Sequence, residues 1–99
     1  MLYYVYIIVS QKDGTLYTGQ TNNLGKRIMR HNKGLIKSTK SKAPYQLGYF
    51  EMYDNRAQAM YREWELKKKW NTSRKKKLID NFSKERLLEM AELVALLPS

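Results

Sequence analysis

The sequence of 99 residues contains no cysteine and a single histidine, His31. Without cysteine the chain has no disulfide scaffold, no thiolate metal site and no cysteine nucleophile. One histidine is also too few for a multi-histidine zinc site. Acidic residues are scarce too: 9 Asp and Glu stand against 19 Lys and Arg, which gives a net charge of +10. A domain this basic is expected to bind a polyanion.

Long hydrophobic runs are absent as well. The apolar run from Leu2 to Val9 is far shorter than the roughly 20 residues that span a bilayer. No basic segment precedes it and no small-residue cleavage site follows it, so it does not look like a signal peptide. Its Tyr, Val and Ile content is typical of a buried strand. We therefore expect one soluble, cytoplasmic domain with no membrane partner.

Positive charge is concentrated in the middle of the chain. Residues 26–77 hold 16 basic and 4 acidic side chains, a net charge of +12, whereas residues 78–99 carry −2. The run from Lys67 to Lys77 alone holds seven basic residues. Such runs bind phosphate backbones without reading sequence, although many are only solvated faces. We predict nucleic-acid contacts at seven positions: Lys26, Arg30, Lys67, Lys68, Lys69, Arg74 and Lys75.

Turn and capping signals divide the chain into strands and helices. The first predicted elements are two strands, Tyr3 to Ser10 and Leu16 to Gly19, joined by an Asp13-Gly14 turn. They are followed by a helix from the caps Thr21-Asn22-Asn23 to Asn32, a basic loop over 33–44 and a strand Gln46 to Tyr53. The last predicted elements are a helix Arg56 to Asn71 capped by Asp54 or Asn55, a basic turn Arg74 to Ile79 capped by Thr72 or Ser73, and a helix capped by Ser83. This order predicts an α+β fold, a small antiparallel sheet flanked by helices.

Two tyrosines of the predicted hairpin share one face of the sheet. A two-residue turn pairs Ser10 with Tyr17, and side chains alternate along a strand. Tyr17 then lies on the same face as Tyr6. A four-residue loop keeps this parity, whereas a three-residue bulged loop breaks it. The alternative is that tyrosine simply favours strands.

The first predicted helix carries a guanidinium beside an imidazole. Arg27 and His31 are four residues apart, so they project from neighbouring turns on one side. Arginine neutralises a phosphate oxygen, and histidine moves a proton near neutral pH. The alternative is a surface helix end, where both residues are favourable beside the negative pole of the helix dipole.

The long helix places a carboxylate within an apolar stripe. Glu63 shares the stripe with Ala59, Leu66 and Trp70, and Met60 and Trp64 are expected to widen the apolar face. A buried acid needs a partner or a cation, and Mg²⁺ binds one or two carboxylates while keeping several waters. The alternative is a Glu at the edge of the stripe, paired with a lysine.

Together these elements resemble the GIY-YIG nuclease family. Tyr4-Val5-Tyr6 matches the first motif and Tyr17-Thr18-Gly19 the second, with Tyr4 in place of glycine and Thr18 in place of isoleucine. The segment from Thr21 to Asn32 is similar to the pattern T-x-x-L-x-x-R-x-x-x-H-N, and the segment from Ala59 to Lys68 to A-x-x-x-E-x-x-x-K-K. The ordered set covers roughly residues 3 to 79.

The resemblance implies a three-stranded antiparallel sheet and a metal-dependent phosphodiesterase. It places Tyr6 and Tyr17 at the scissile phosphate, Arg27 as its clamp, His31 in proton transfer and Glu63 as the ligand of one divalent cation, Mg²⁺ or Mn²⁺. The sequence leaves open which tyrosine is the general base. It predicts a nuclease domain over residues 1–82, with an amphipathic helix over 83–99 packed on it.

The resulting prediction is a nuclease-like phosphodiesterase with weak sequence selectivity, acting on nucleic acid and preferring DNA. The alternative is a non-catalytic nucleic-acid-binding module on the same fold. The set of Tyr6, Tyr17, Arg27, His31 and Glu63 favours the enzyme, because a carboxylate facing phosphate repels it and has no use in binding alone. The oligomeric state and the biological pathway are not readable from the sequence.

Overall fold

The computed structural model describes residues 1–95, with the backbone alone at positions 87, 90, 93 and 94. Three strands and three α-helices form an α+β fold, as predicted. A short 3₁₀ helix, Lys40–Lys42, precedes the third strand. The elements are β1 (Tyr3–Ser10), β2 (Leu16–Thr21), α1 (Leu24–Asn32), β3 (Tyr45–Tyr53), α2 (Arg56–Lys68) and α3 (Thr72–Ala95).

The sheet is antiparallel with the order β2-β1-β3, so β1 is the central strand. Tyr17 pairs with Ile8, and the predicted pairing of Tyr17 with Ser10 is wrong. The loop is longer than two residues, because the Ser10 amide donates to the Thr15 carbonyl at 2.8 Å. Gly14 provides the positive φ of 77° that this loop needs. The pairing shift is an even number of residues, so Tyr6 and Tyr17 still share a face.

The two faces of the sheet have separate cores, because side chains alternate along β1. Tyr6 and Ile8 pack with Tyr45 and, on α1, with Leu24 and Ile28. On the opposite face Val5 and Ile7 pack with α2 and α3; the residues of these helices in that core are Ala59, Leu66, Leu78 and Ile79. Helices therefore cover both faces of one small sheet.

Asparagine side chains cap the helices. The Asn23 side chain accepts the Lys26 amide at 3.1 Å at the start of α1. Asn55 accepts the Ala57 amide at 2.7 Å at the start of α2. In both cases the cap is one of the residues predicted from the sequence, because an Asn oxygen satisfies an otherwise unpaired first-turn amide.

The helical C-terminal segment differs from the prediction. α3 is one helix from Thr72 to Ala95, so a separate basic turn and a helix start at Ser83 are wrong. Its first-turn amide at Arg74 is accepted by Asn71, not by Thr72 or Ser73. The sequence from 72 to 95 contains neither glycine nor proline, so nothing in it interrupts a helix. The predicted packing of residues 83–99 on the domain stays a prediction, and residues 96–99 lie outside the described part.

Within residues 1–95 no helix is both long enough and apolar enough to cross a membrane.

Candidate active site

Tyr6 and Tyr17 lie side by side on the face of the sheet that α1 covers. Tyr6 is fully buried on the central strand, and Tyr17 is half-buried on the edge strand β2. Gly19 lies directly opposite Tyr6. A Cβ atom at Gly19 would meet the Tyr6 hydroxyl and lie 2.6 Å from its Cζ. The space for the Tyr6 ring therefore depends on a glycine at this position.

α1 brings Arg27 and His31 to the same hydroxyl group. The Tyr6 Oη lies 2.8 Å from Nε2 of His31, and Arg27 Nε donates to it at 3.4 Å. The His31 ring also packs edge-on against Tyr17, with ring centroids 5.2 Å apart. His31 is fully buried, so the alternative of an exposed helix end is wrong for this residue.

Burial and charge change the acidity of this pair. Burial raises the pKa of Tyr6 above 10.0, and the hydrogen bond and positive charge of Arg27 oppose that rise. Burial, reinforced by the charge of Arg27, lowers the pKa of His31 from 6.5 to about 4. His31 is therefore neutral at pH 7 and has a free lone pair on one ring nitrogen.

Glu63 approaches the Tyr6–His31 pair from the other side of the sheet. On α2, Ala59 and Leu66 are buried against Val5 and Ile7, whereas the side chain of Glu63 is 25% exposed. Its negative charge nevertheless contributes to the raised pKa of Tyr6. Because β2 is one of the two edge strands, side chains from both faces can meet beside it.

Glu63 has a basic partner. Lys67 Nζ lies 3.5 Å from its carboxylate, one helical turn away, and 5.5 Å from the centroid of the Tyr17 ring. The pairing weighed as the alternative is thus present. It is long and partly exposed, which makes it a weak ion pair. Met60 and Trp64 do not widen the apolar face as predicted: they are 50% and 45% exposed.

A lone carboxylate of this kind is a possible magnesium ligand. No group of three or more His, Asp or Glu side chains within the described residues is placed to hold a metal ion. Glu63 offers hard oxygen atoms at a partly solvated position beside Lys67, which itself lies over the Tyr17 ring. That donor set suits Mg²⁺, which keeps most of its waters and needs few protein ligands.

Basic side chains surround the site on two elements. Lys26 and Arg30 line, together with Arg27, a shallow cavity of about 240 Å³ beside the N-terminus of α1. Lys67 lies over the Tyr17 ring. Burial lowers the pKa of Lys75 on α3, and the positive charge of Lys67 lowers that pKa further. The Lys68 and Lys69 side chains are exposed.

Arg74 differs from the other predicted nucleic-acid contacts. Its guanidinium carbon lies 3.7 Å from the centroid of the Trp70 ring, a cation–π contact. Arg62 also contacts this ring, with its guanidinium carbon 4.9 Å from the ring centroid. The structure therefore directs Arg74 to Trp70 and does not bring it to the tyrosines.

Two polar residues of the site were missed by the sequence reasoning. Thr39 Oγ1 lies 2.7 Å from Nδ1 of His31. Asn32 ties the end of α1 to β3, since its side chain accepts the Tyr45 amide at 2.6 Å and donates to the Tyr45 carbonyl at 3.2 Å. Asn32 lies in the T-x-x-L-x-x-R-x-x-x-H-N segment, which was its one signal; Thr39 lies in a basic loop and had none.

A second cluster of charges lies beyond the site, beside a cavity of about 720 Å³. There Arg62 donates to both carboxylate oxygens of Glu51 at 2.9–3.1 Å. Tyr49 and Tyr53 donate to the same carboxylate at 2.5 Å. Because every charge there is paired, this cluster joins β3 to α2 and is not a second candidate site.

Comparison with known proteins identifies the same region. The family model described as the GIY-YIG catalytic domain matches residues 2–77. That range contains Tyr6, Tyr17, Arg27, His31 and Glu63.

Curated relatives and one solved structure are similar over most of the chain. The UPF0213 protein SSP2268 of Staphylococcus saprophyticus is 48% identical over 77% of this chain and 89% of its own length. The UPF0213 protein SH2523 of Staphylococcus haemolyticus is 44% identical over 91% of this chain and 94% of its own. The solution NMR structure of the UPF0213 protein BH0048 from Bacillus halodurans has a TM-score of 0.51 and 33% identity, covering 81% of this chain and 84% of that one.

Proposed function

We propose, from the premise that this chain belongs to the GIY-YIG family, that it is a metal-dependent endonuclease with weak sequence selectivity that prefers DNA. The observation that carries the proposal is the contact of one buried tyrosine hydroxyl with both a neutral imidazole and a guanidinium, at 2.8 and 3.4 Å. This hydroxyl lies among the basic side chains of α1 and α2. Phosphodiester hydrolysis needs a proton acceptor and positive charge in that combination.

Tyr6 is the better of the two tyrosines for the general base. Its hydroxyl contacts His31 Nε2, so it can take a proton from the attacking water while its own proton passes to His31. The oxygen of that water then bonds to phosphorus, and the bond to the leaving 3′ oxygen breaks. Tyr17 contacts His31 only through its ring edge and is assigned to orienting the water or the phosphate.

Arg27 and the bound phosphate assist this transfer. Arg27 donates to Tyr6, and its planar guanidinium can also clamp a phosphate oxygen. Arg27 is one cause of the low pKa of His31. A phosphate beside Arg27 offsets this positive charge, so substrate binding makes His31 a stronger base.

Glu63 is proposed as the ligand of a single Mg²⁺ or Mn²⁺ ion. A divalent cation held there supplies Lewis acidity for the departing oxygen. Lys67, which pairs with Glu63 at 3.5 Å and lies over the Tyr17 ring, would supply a further positive charge for phosphate at this position.

The second candidate is a binding module without catalysis, and the Glu63–Lys67 ion pair is the observation in its favour. In that case the carboxylate only positions a lysine. Both candidates predict binding to nucleic acid, so cleavage distinguishes them.

The test is an incubation of the purified protein with single-stranded, duplex and branched DNA and with RNA, each with Mg²⁺, Mn²⁺ or EDTA. We expect cleavage with either cation, none in EDTA, and faster cleavage of DNA than of RNA. Binding to all four substrates with cleavage of none supports the binding module.

Glu63→Gln tests the metal ligand. It is expected to lose cleavage under limiting Mg²⁺, while its affinity for DNA in EDTA is unchanged or higher because a repulsive charge is gone. Glu85→Gln, at an exposed position of α3, is the matched control. Wild-type cleavage by Glu63→Gln under limiting Mg²⁺ would show that Glu63 is not the ligand.

A further inference from the structure

Thr39 is a buried residue in the middle of the basic loop over 33–44, directly before the 3₁₀ helix, and its position is fixed by its backbone. Its amide donates to the Ile36 carbonyl at 3.1 Å. Its carbonyl accepts the Tyr45 hydroxyl at 2.9 Å and the Lys42 amide at 3.2 Å. The side chain is 1% exposed, so its hydroxyl has a defined place beside His31.

The hydroxyl of Thr39 has two contacts, and their directions depend on which nitrogen of His31 carries the proton. The Ile36 carbonyl, 3.4 Å from Oγ1, can only accept, and it already accepts the amides of Thr39 and Lys40. Nδ1 of His31 lies 2.7 Å from Oγ1. If Nδ1 carries the proton, Oγ1 accepts it and the Thr39 hydroxyl donates to Ile36.

The other end of the imidazole decides which ring nitrogen carries the proton. Arg27 can only donate to the Tyr6 oxygen, and Tyr6 is fully buried. Within the described residues, His31 Nε2 is the acceptor that contacts the Tyr6 proton. If Nε2 carried a hydrogen, that buried proton would be left without a partner, which is costly. Nε2 is therefore the unprotonated nitrogen.

We propose that Thr39 is a positioning residue of the site: it holds His31 in the tautomer with the proton on Nδ1, so that the Nε2 lone pair faces the hydroxyl of Tyr6. Its effect on catalysis rests on the proposed nuclease function, whereas its effect on the tautomer is a property of the free protein. Thr39 acts only through His31. This assigns a role to a loop that otherwise shows only positive charge.

The single histidine makes the tautomer directly measurable. In ¹⁵N-labelled protein at pH 7, long-range ¹H–¹⁵N correlation spectra contain the signals of one imidazole, so they need no assignment among histidines. We expect wild-type His31 to be neutral, with its proton on Nδ1 and Nε2 unprotonated. A wild-type spectrum with the proton on Nε2 would overturn the proposal before any variant is made.

Three variants separate the hydroxyl from its surroundings. Thr39→Val keeps the shape and removes the hydroxyl, so the Nδ1 proton of His31 loses its acceptor; we expect a larger fraction of the Nε2–H tautomer and a changed ¹⁵N shift of Nδ1. Thr39→Ser keeps the hydroxyl and is expected to retain the wild-type tautomer. Thr18→Val is the control: it removes a buried hydroxyl on the opposite face of the sheet and should leave the tautomer unchanged. Within the described residues the Thr18 hydroxyl has no hydrogen-bond partner.

Kinetics with a cleaved substrate complete the test. Thr39→Val is expected to lower kcat at least about tenfold, part of the roughly 10²–10⁴-fold that general acid–base catalysis contributes. KM stays nearly unchanged, and Thr39→Ser restores the rate. Unchanged ¹⁵N shifts of the His31 ring or an unchanged kcat in folded Thr39→Val contradict the proposal. If Thr39→Val does not fold, the wild-type and Thr39→Ser spectra still decide the tautomer. If the wild type cleaves nothing, the tautomer result stands and only the proposed function fails.

Discussion

The hydroxyl of Tyr6 is held between a neutral base and a permanent cation. His31 can accept its proton and Arg27 can stabilise the resulting negative charge. Their common position follows from two regular spacings in the sequence, the alternation of side chains along β1 and the four-residue interval on α1. The contact of Thr39 with His31 was not predictable, because it depends on how the loop 33–44 folds back onto α1.

Replacing each tyrosine by phenylalanine tests which of them is the base. Tyr6→Phe is expected to lower the cleavage rate by about 10²–10⁴-fold, the usual contribution of general acid–base catalysis. Tyr17→Phe is expected to lose less, since its described contacts to His31 and Lys67 involve the ring and not the hydroxyl. Rates are measured beside thermal melting curves, so that loss of fold is recognised. Full activity in both folded variants would place the active site elsewhere.

The buried imidazole also predicts a pH-dependent stability. The pKa of His31 is about 4 in the folded protein and 6.5 ordinarily, so below pH 6.5 the unfolded chain binds a proton that the folded one does not. The contribution of neutral His31 to the free energy of unfolding is therefore fully present above pH 6.5. It falls by on the order of 1 kcal/mol per pH unit as the pH falls from 6.5 to about 4.

Urea unfolding between pH 7 and pH 4.5 measures this dependence. His31→Gln cannot titrate and is the matched variant. It is expected to be less stable at pH 7 but to have a flatter profile between pH 7 and 5, where few other side chains of this chain titrate. Equal slopes in the two proteins would mean that His31 is not held neutral by the fold.

At the scale of elements, the edge strand β2 is where the site is assembled. Its position beside β1 brings Gly19 against Tyr6, and its free edge lets α1 and α2 contribute from opposite faces. Strand and cap positions were predictable, because turn residues and Asn caps act locally. The start of α3 was not: the sequence predicted Thr72 or Ser73 as the cap of a short turn and Ser83 as the cap of the last helix, whereas Asn71 caps one continuous helix. Packing favours the continuous helix, since Phe82 contacts Tyr49 and Phe50 from within it, at 5.2 and 5.4 Å between ring centroids.

Gly19→Ala tests the close approach of β2 to Tyr6. The added Cβ would displace the Tyr6 ring, and we expect a loss of about 1–3 kcal/mol in the free energy of unfolding, together with reduced cleavage. Gly25→Ala is the matched control: its Cβ meets nothing within 4 Å on α1, and alanine favours a helix by about 1 kcal/mol. Chemical denaturation measures both. Equal stability of the two variants would contradict the proposed crowding at Gly19.

At the scale of the molecule, helices cover both faces of the sheet, and the proposed site lies beside its β2 edge. The charge pattern of the sequence predicted a basic surface over residues 26–77, and α1 and α2 supply it around the tyrosines. It did not predict which charges are used internally. Arg62 pairs with Glu51 and Arg74 lies over Trp70. The charge pattern does not show these contacts, because they depend on how the side chains pack. Lys26, Arg30 and Lys67 are the predicted contacts that lie beside the site.

Salt dependence of DNA binding measures how many of these charges contact phosphate. Each phosphate neutralised on duplex DNA adds about −0.9 to the slope of log K against log salt concentration. Binding in EDTA is expected to fall steeply between about 50 and 200 mM salt. Arg30→Gln and Lys67→Gln are each expected to make the slope less steep by about 1. Lys84→Gln, at an exposed position of α3, should leave it unchanged. A slope near zero, or an equal effect of Lys84→Gln, would mean that nucleic acid does not bind at the β2 edge. Phosphate contacts of Arg30 and Lys67 release counterions from the DNA, so the loss of either contact must change the slope.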